Sequence, residues 1–238
     1  MSPFLGEFMG TLTLVLLGDG VVACVLLNKS KGQNSGWIVI TTGWAFAVTI
    51  GVFVAGAFGS ADGYLNPAVA IWDAIVKGDG SKLLVDIPAE FLGGFVGAAL
   101  VWLQYLPHWK ETEDKGLKLA CYCTGPAIRN TPANLVSEII GTLMLVIGVG
   151  AIFAKASGTL AGGIGPFLVG VLVWAIGLSL GGTTGYAINP ARDLAPRLAH
   201  ALLPIAGKGS SDFGYSWIPV VGPLIGAVIG ALIIRAIA

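Results

Sequence analysis

A chain of 238 residues that is 55% hydrophobic and only 11% charged has too little polar surface for a water-soluble domain, and enough apolar length for several membrane crossings. Its 13 Lys and Arg balance 13 Asp and Glu, so the net charge is zero and neither nucleic acid nor an acidic surface is implied as a partner. Three cysteines, Cys24 and the close pair Cys121 and Cys123, show neither disulfide-framework nor metal-ligand spacing; they read as free thiols, and no metal or cofactor is expected.

The first apolar stretch, Pro3 to Leu27, has no basic segment before it and carries Glu7, so it reads as a membrane span rather than a secretory signal. Gly36 to Phe58 is the second span. After a polar approach, Ser60 to Leu65, the tripeptide Asn66-Pro67-Ala68 opens a short helix that runs to Lys77. Proline suits the first turn of a helix and asparagine the N-cap, where its side-chain oxygen accepts from the backbone and its NH2 stays free to donate. The third span is Leu83 to Leu106, followed by a long loop over 107–131 and a fourth span, Pro132 to Ala154. Ile164 to Leu180 is the fifth. A second approach, Gly182 to Ile188, leads to Asn189-Pro190-Ala191 and a short helix ending near Ala201, and Trp217 to Ile237 is the sixth span. An even number of spans puts both termini on one side.

The chain repeats itself. Gly6-Glu7-Phe8-Met9-Gly10-Thr11-Leu12 is echoed by Ser137-Glu138-Ile139-Ile140-Gly141-Thr142-Leu143, and Ile87-Pro88 by Ile218-Pro219, both at an offset of 131 residues; the tripeptides are 123 apart. The halves, about 1–106 and 132–238 joined by 107–131, each hold three spans, so the second enters the membrane inverted with respect to the first. The short helices are long enough for only about half of a 30 Å hydrocarbon core, and from opposite faces they meet tip to tip near the middle. Their non-helical approaches carry unpaired backbone groups that cannot face lipid, and so must line a polar cavity. Gly93 and Gly97, with Gly222, Gly226 and Gly230, permit close helix packing. Glu7 and Glu138, ionisable groups at matching places inside spans, read as braces for the two approaches, with a proton relay as the alternative.

The paired Asn-Pro-Ala motifs, the inverted repeat and the run Asn189-Pro190-Ala191-Arg192-Asp193 resemble the major intrinsic proteins, and within them the aquaglyceroporins. The resemblance implies an all-α, aquaporin-like membrane protein of six transmembrane helices plus two re-entrant half-helices, one channel domain over 1–238. It implies a passive channel for glycerol and other small uncharged solutes, passing water and excluding ions and protons, in the plasma membrane with cytoplasmic termini, as a homotetramer in the lipid bilayer. A preference for water, lactic acid or dihydroxyacetone within the same family is the alternative, and a secondary transporter the rival class.

By the same resemblance the selectivity filter is Trp44, Gly177, Tyr186 and Arg192, with Gly177 twelve and Tyr186 three residues before Asn189. Trp44 could otherwise be an interfacial residue, and Arg192 a loop arginine held by Asp193. Carbonyls of Asp62, Gly63, Tyr64 and Leu65, and of Gly185, Tyr186, Ala187 and Ile188, are expected to line the pore beside Asn66 and Asn189. Aspartate at 193 marks the glycerol-conducting subgroup, and glycine at 177 is expected to leave room for a solute wider than water. Tyr186, where many facilitators carry phenylalanine, is expected to add a hydroxyl to the filter. Asp19 reads as lining a wet vestibule or packing helices. His108 and His200 read as surface residues without a catalytic constellation, so no enzyme is expected. Cytoplasmic termini would place Lys77, Lys82, Lys155 and Arg235 inside but Lys29, Lys31, Lys110, Lys115, Lys118, Arg129 and Lys208 outside, against the positive-inside rule.

Overall fold

A computed structural model describes residues 1–154 and 157–237; Lys155, one of the cations counted above, lies outside the described residues. The six long helices are α1 (Pro3–Leu26), α2 (Trp37–Phe58), α4 (Leu83–Gln104), α7 (Thr131–Ile152), α8 (Ile164–Leu180) and α10 (Ile218–Ile237). The half-helices are α3 (Pro67–Lys77) and α9 (Pro190–Leu202), and two short helices, α5 (His108–Glu111) and α6 (Lys115–Ala120), sit in the central loop. Among the described residues five helices are long and apolar enough to cross a membrane, while α8 has 17 residues and spans about 25 Å. The expected spans hold to within a few residues, and the starts of α1 and α7 follow from capping. Ser2 accepts from Leu5 N–H ahead of Pro3, and Asn130 accepts from Ala133 N–H ahead of Pro132.

The packing is symmetric under exchange of the halves. Helix α1 packs on α2 and α4, as α7 packs on α8 and α10; α2 meets α8 at the axis. The half-helices cross over, with α3 against α10 and α9 against α4. Small residues allow this. A Cβ at Gly97 would stand 2.6 Å from the Leu12 carbonyl oxygen, and one at Gly226 2.6 Å from that of Ile139, so both seams need glycine. Large apolar side chains such as Ile38, Phe46, Phe53, Leu92 and Leu103 are exposed on the outside of the helices, a surface suited to lipid. This is a multi-pass membrane protein.

Gly59 lies against Met1 and Ser2, which puts the loop before α3 on the face that carries the termini. On the opposite face the central loop and the segment after α9 fold into a cover with Trp109, Tyr122 and Tyr215 buried within it. Several of its cations make defined contacts. Lys208 Nζ donates to the carbonyls of His200, Ala201 and Leu203 at 2.7, 2.6 and 2.7 Å, a positive charge at the C-terminus of α9. Lys118 Nζ donates to Ala206 O at 2.5 Å, Lys29 pairs with Glu111 at 2.5 Å, and Arg129 pairs with Asp212. Partial burial pulls Lys118 and Lys208 below the usual lysine range. A count of loop cations on this face therefore records what the cover needs as well as topology.

The histidines correct the sequence reading. His200 is fully buried, its Nδ1 2.8 Å from Ser211 Oγ and its ring against Tyr122. His108 is half-buried with Nδ1 2.9 Å from the Asn28 carbonyl oxygen. The cover encloses both, and a cover is a long-range feature that local sequence does not announce.

Candidate functional site

The two Asn-Pro-Ala segments meet at the centre of the molecule. Asn66 Oδ1 accepts from Ala68 N–H at 2.9 Å, and Asn189 Oδ1 accepts from Ala191 and Arg192 N–H at 3.0 and 3.1 Å, so both cap their own helices. Their amides then reach across: Asn66 Nδ2 donates to Ile188 O at 2.8 Å and Asn189 Nδ2 donates to Leu65 O at 2.7 Å. Each NH2 keeps one further N–H. Pro67, Ala68, Pro190 and Ala191 are buried in the helix packing behind this clasp.

Reaching the clasp strains the backbone. Leu65, Tyr186 and Ile188 have φ of 53°, 39° and 45°, left-handed values that cost non-glycine residues about 1–3 kcal/mol each. Buried carboxylates hold them there. Glu7 accepts from Ser60 Oγ at 2.6 Å, Tyr64 N–H at 3.0 Å and Leu65 N–H at 2.8 Å. Glu138 does the same in the other half, accepting from Thr184 Oγ1 at 2.7 Å, Ala187 N–H at 3.0 Å and Ile188 N–H at 2.9 Å. A third carboxylate, Glu90, accepts from Asn66 N–H at 2.9 Å. Sequence reasoning missed Glu90, although it is an ionisable residue inside a span, the same signal that singled out Glu7 and Glu138. The matching place in the second half is Val221, so this support is one-sided.

One cavity of about 470 Å³ runs past the clasp. On the face of the termini it is lined by Asp62, Asp73, Lys77 and Phe153, midway by Leu65, Asn66, Ile188 and Asn189, and at the far end by Trp44, Tyr186 and Arg192. At the first mouth Tyr64 donates to Asp73, Lys77 pairs with Asp73 at 2.8 Å, and Lys82 pairs with Asp62. At the far end the Arg192 guanidinium lies 3.9 Å from the centre of the Trp44 ring, a cation–π stack. Trp44 is buried, and its indole lies directly over Gly18.

Gly177 sits beneath the Tyr186 ring rather than beside open space. A Cβ at 177 would stand 2.8 Å from Tyr186 Cζ and 2.9 Å from its hydroxyl oxygen. The glycine thus makes room for an aromatic ring, which Trp37 holds edge-on at 5.9 Å while donating through Nε1 to Gly177 O at 3.0 Å. The Tyr186 hydroxyl is buried against Gly177, without a hydrogen-bond partner among the described residues, so it does not furnish the extra polar group expected in the cavity.

Asp193 does not hold Arg192. Its Oδ2 accepts from Thr124 N–H and Oγ1 at 2.7 Å each, and its Oδ1 accepts from Arg197 Nε and Nη2 at 3.0 and 2.9 Å. Arg197 also donates to the carbonyls of Thr124, Ser211 and Asp212 at 2.8, 2.9 and 3.2 Å, and both partners are fully buried. Sequence reasoning missed Arg197; the four-residue spacing from Asp193 on one helix was the available signal. Arg192 instead faces Asp19, Nη1 to Oδ1 at 3.6 Å, and Asp19 is buried rather than in a wet vestibule.

Two half-helices clasped at the centre of the molecule beside this cavity agree with a match of residues 1–234 to the family described as Major intrinsic protein. The chain belongs to this family. It is 59% identical to a Thermotoga maritima protein described as a probable glycerol uptake facilitator, over 97% of each chain. It is 53% identical to glycerol uptake facilitator protein 3 of Lactiplantibacillus plantarum, over 98% of this chain and 95% of that one. The crystal structure of the aquaglyceroporin from Plasmodium falciparum superposes with a TM-score of 0.83 at 27% identity, covering 98% of this chain and 94% of the other. The fold is thus the aquaporin fold, with six spans and two re-entrant half-helices in an inverted repeat.

Proposed function

We propose that this major intrinsic protein is a passive channel for glycerol and similar small uncharged solutes, with water, and not an enzyme. The observation that carries the reading is the continuous cavity lined by both Asn66 and Asn189 and by Trp44, Tyr186 and Arg192. The descriptions of its relatives as glycerol uptake facilitators support the choice of solute. In this reading Trp44, Gly177, Tyr186 and Arg192 form the selectivity filter. Two aromatic rings offer an apolar wall to the carbon edge of a polyol, while guanidinium N–H groups donate to its hydroxyls. The carbonyls of Asp62 to Leu65 and Gly185 to Ile188 replace lost hydration along the path, and the free N–H of each clasped asparagine adds a donor midway. The positive ends of α3 and α9 oppose cations. The protein works in the plasma membrane with its termini in the cytoplasm, as a homotetramer with one pore in each subunit.

Proteoliposomes should swell in an inward glycerol gradient at a rate that is fast and linear in concentration; a rate equal to that of empty vesicles rejects the proposal. Gly177→His should lower glycerol flux at least about tenfold, and water flux much less, because the imidazole has to displace the Tyr186 ring toward the cavity. Stopped-flow measurement of both solutes decides it: an equal loss of the two would mean that the constriction lies elsewhere.

A further inference from the structure

Asp19 sits in α1 between Gly18 and Gly20 and is 1% exposed. Its Oδ1 is 3.6 Å from Arg192 Nη1, beyond hydrogen-bonding length but within ion-pair reach. Asp19 Oδ2 and Arg192 Nη1 are both buried without a hydrogen-bond partner among the described residues. A buried carboxylate so poorly supplied with donors is costly, and the guanidinium is what compensates it.

The charges around the far end of the cavity give this pair a consequence. Arg192 supplies a full positive charge at that end, and the N-terminal ends of α3 and α9, midway along the cavity, supply roughly half a charge each. The other buried carboxylates nearby serve backbone and side-chain donors: Glu7 and Glu138 the two approaches, Glu90 the Asn66 N–H, and Asp193 the Thr124 and Arg197 groups. Among the described residues, Asp19 is the carboxylate within ion-pair distance of Arg192. Without it the narrow end would hold an uncompensated cation in a low-dielectric wall, a place where small anions collect.

We infer that Asp19 is a positioning and specificity-determining residue of the channel. Its charge offsets that of Arg192, so that anions are not drawn into the filter, and it attracts one edge of the guanidinium while Trp44 stacks on its face. The remaining N–H groups of Arg192 are then left for neutral hydroxylated solutes. Charge selection at the filter is thereby shared between a residue of the second re-entrant segment and one of the first span.

This inference rests on the channel reading, and glycerol swelling of the unmodified protein tests that reading separately. The experiment on Asp19 compares variants with the unmodified protein in proteoliposomes, recording glycerol swelling, water flux and chloride efflux under a potassium–valinomycin clamp. Asp19→Asn should raise chloride efflux about tenfold or more and lower the ratio of glycerol to water flux, whereas Asp19→Glu, which keeps the charge, should leave chloride efflux at the unmodified level. Adding Arg192→Val to Asp19→Asn should remove the extra chloride efflux. A packing role alone would lower all fluxes together without opening a path for chloride. Chloride efflux and a glycerol-to-water ratio unchanged in Asp19→Asn would overturn the inference. Should Asp19→Asn alone yield no folded protein, recovery of folded protein in the double variant supports the pairing, and failure of both variants overturns it.

Discussion

Glu138→Ala should bring glycerol flux down to the level of empty vesicles and destabilise the protein by on the order of 5 kcal/mol. The carboxylate is 1% exposed and accepts three hydrogen bonds, from Thr184, Ala187 and Ile188. Alanine would leave those donors enclosed, with an orphaned buried donor costing about 1–3 kcal/mol. It would also release the left-handed backbone at Tyr186 and Ile188, which carries the Asn66 clasp. The conservative variant sharpens the test. Glutamine can keep its oxygen toward Thr184 and Ala187, but its NH2 then faces Ile188 N–H, donor against donor. Glu138→Gln should therefore fall between the two, in thermal unfolding of detergent-solubilised protein and in swelling rate alike. Flux in Glu138→Ala equal to that of the unmodified protein would show that the second approach is held by something else.

Arg197→Met should be the most destabilising single substitution in α9, by about 3–5 kcal/mol, because it strands Asp193 as a buried charge. Arg197 ties together three stretches of chain: Asp193 on its own helix, Thr124 in the central loop, and Ser211 and Asp212 beyond α9. Thr124 in turn packs on Gly185, and Ala127 N–H donates to Thr183 O at 3.0 Å, so the knot backs the approach that leads to Tyr186. Pairing Arg197→Met with Asp193→Leu should recover part of the loss, since replacing both partners with apolar groups removes the stranded charge. Thermal midpoints of the single and double variants decide it: a single variant as stable as the unmodified protein, or a double variant worse than the single, contradicts the account.

What was legible in the sequence was whatever repeats or interrupts. The apolar stretches fixed the spans to within a few residues because lipid demands length and leaves little choice of residue. Asn66 and Asn189 announced two helix starts, and the 131-residue echo linked Glu7 to Glu138 before either was seen to accept from its approach. The unseen part depends on neighbours distant in sequence. His200 looked exposed because its burial comes from Tyr122 and Ser211, in two different loops. Gly177 suggested an open space, but the ring of Tyr186, nine residues on, fills it. A pairing of Asp193 with its neighbour Arg192 was the alternative to a pore role for Arg192, but successive helical residues point in different directions, and the partner Asp193 meets is one turn further along.

The crossing of the half-helices bears on how the chain is made. Helix α3 rests chiefly on α10, which is synthesised after it and after the five other long helices described, while α9 rests on α4 from the first half. The Leu65 carbonyl and the Asn66 amide likewise find their partners only in residues 188 and 189. Neither half is therefore a self-sufficient unit that can be finished and set aside during insertion. The first broken segment is synthesised before the helix it rests on and before the residues that clasp it.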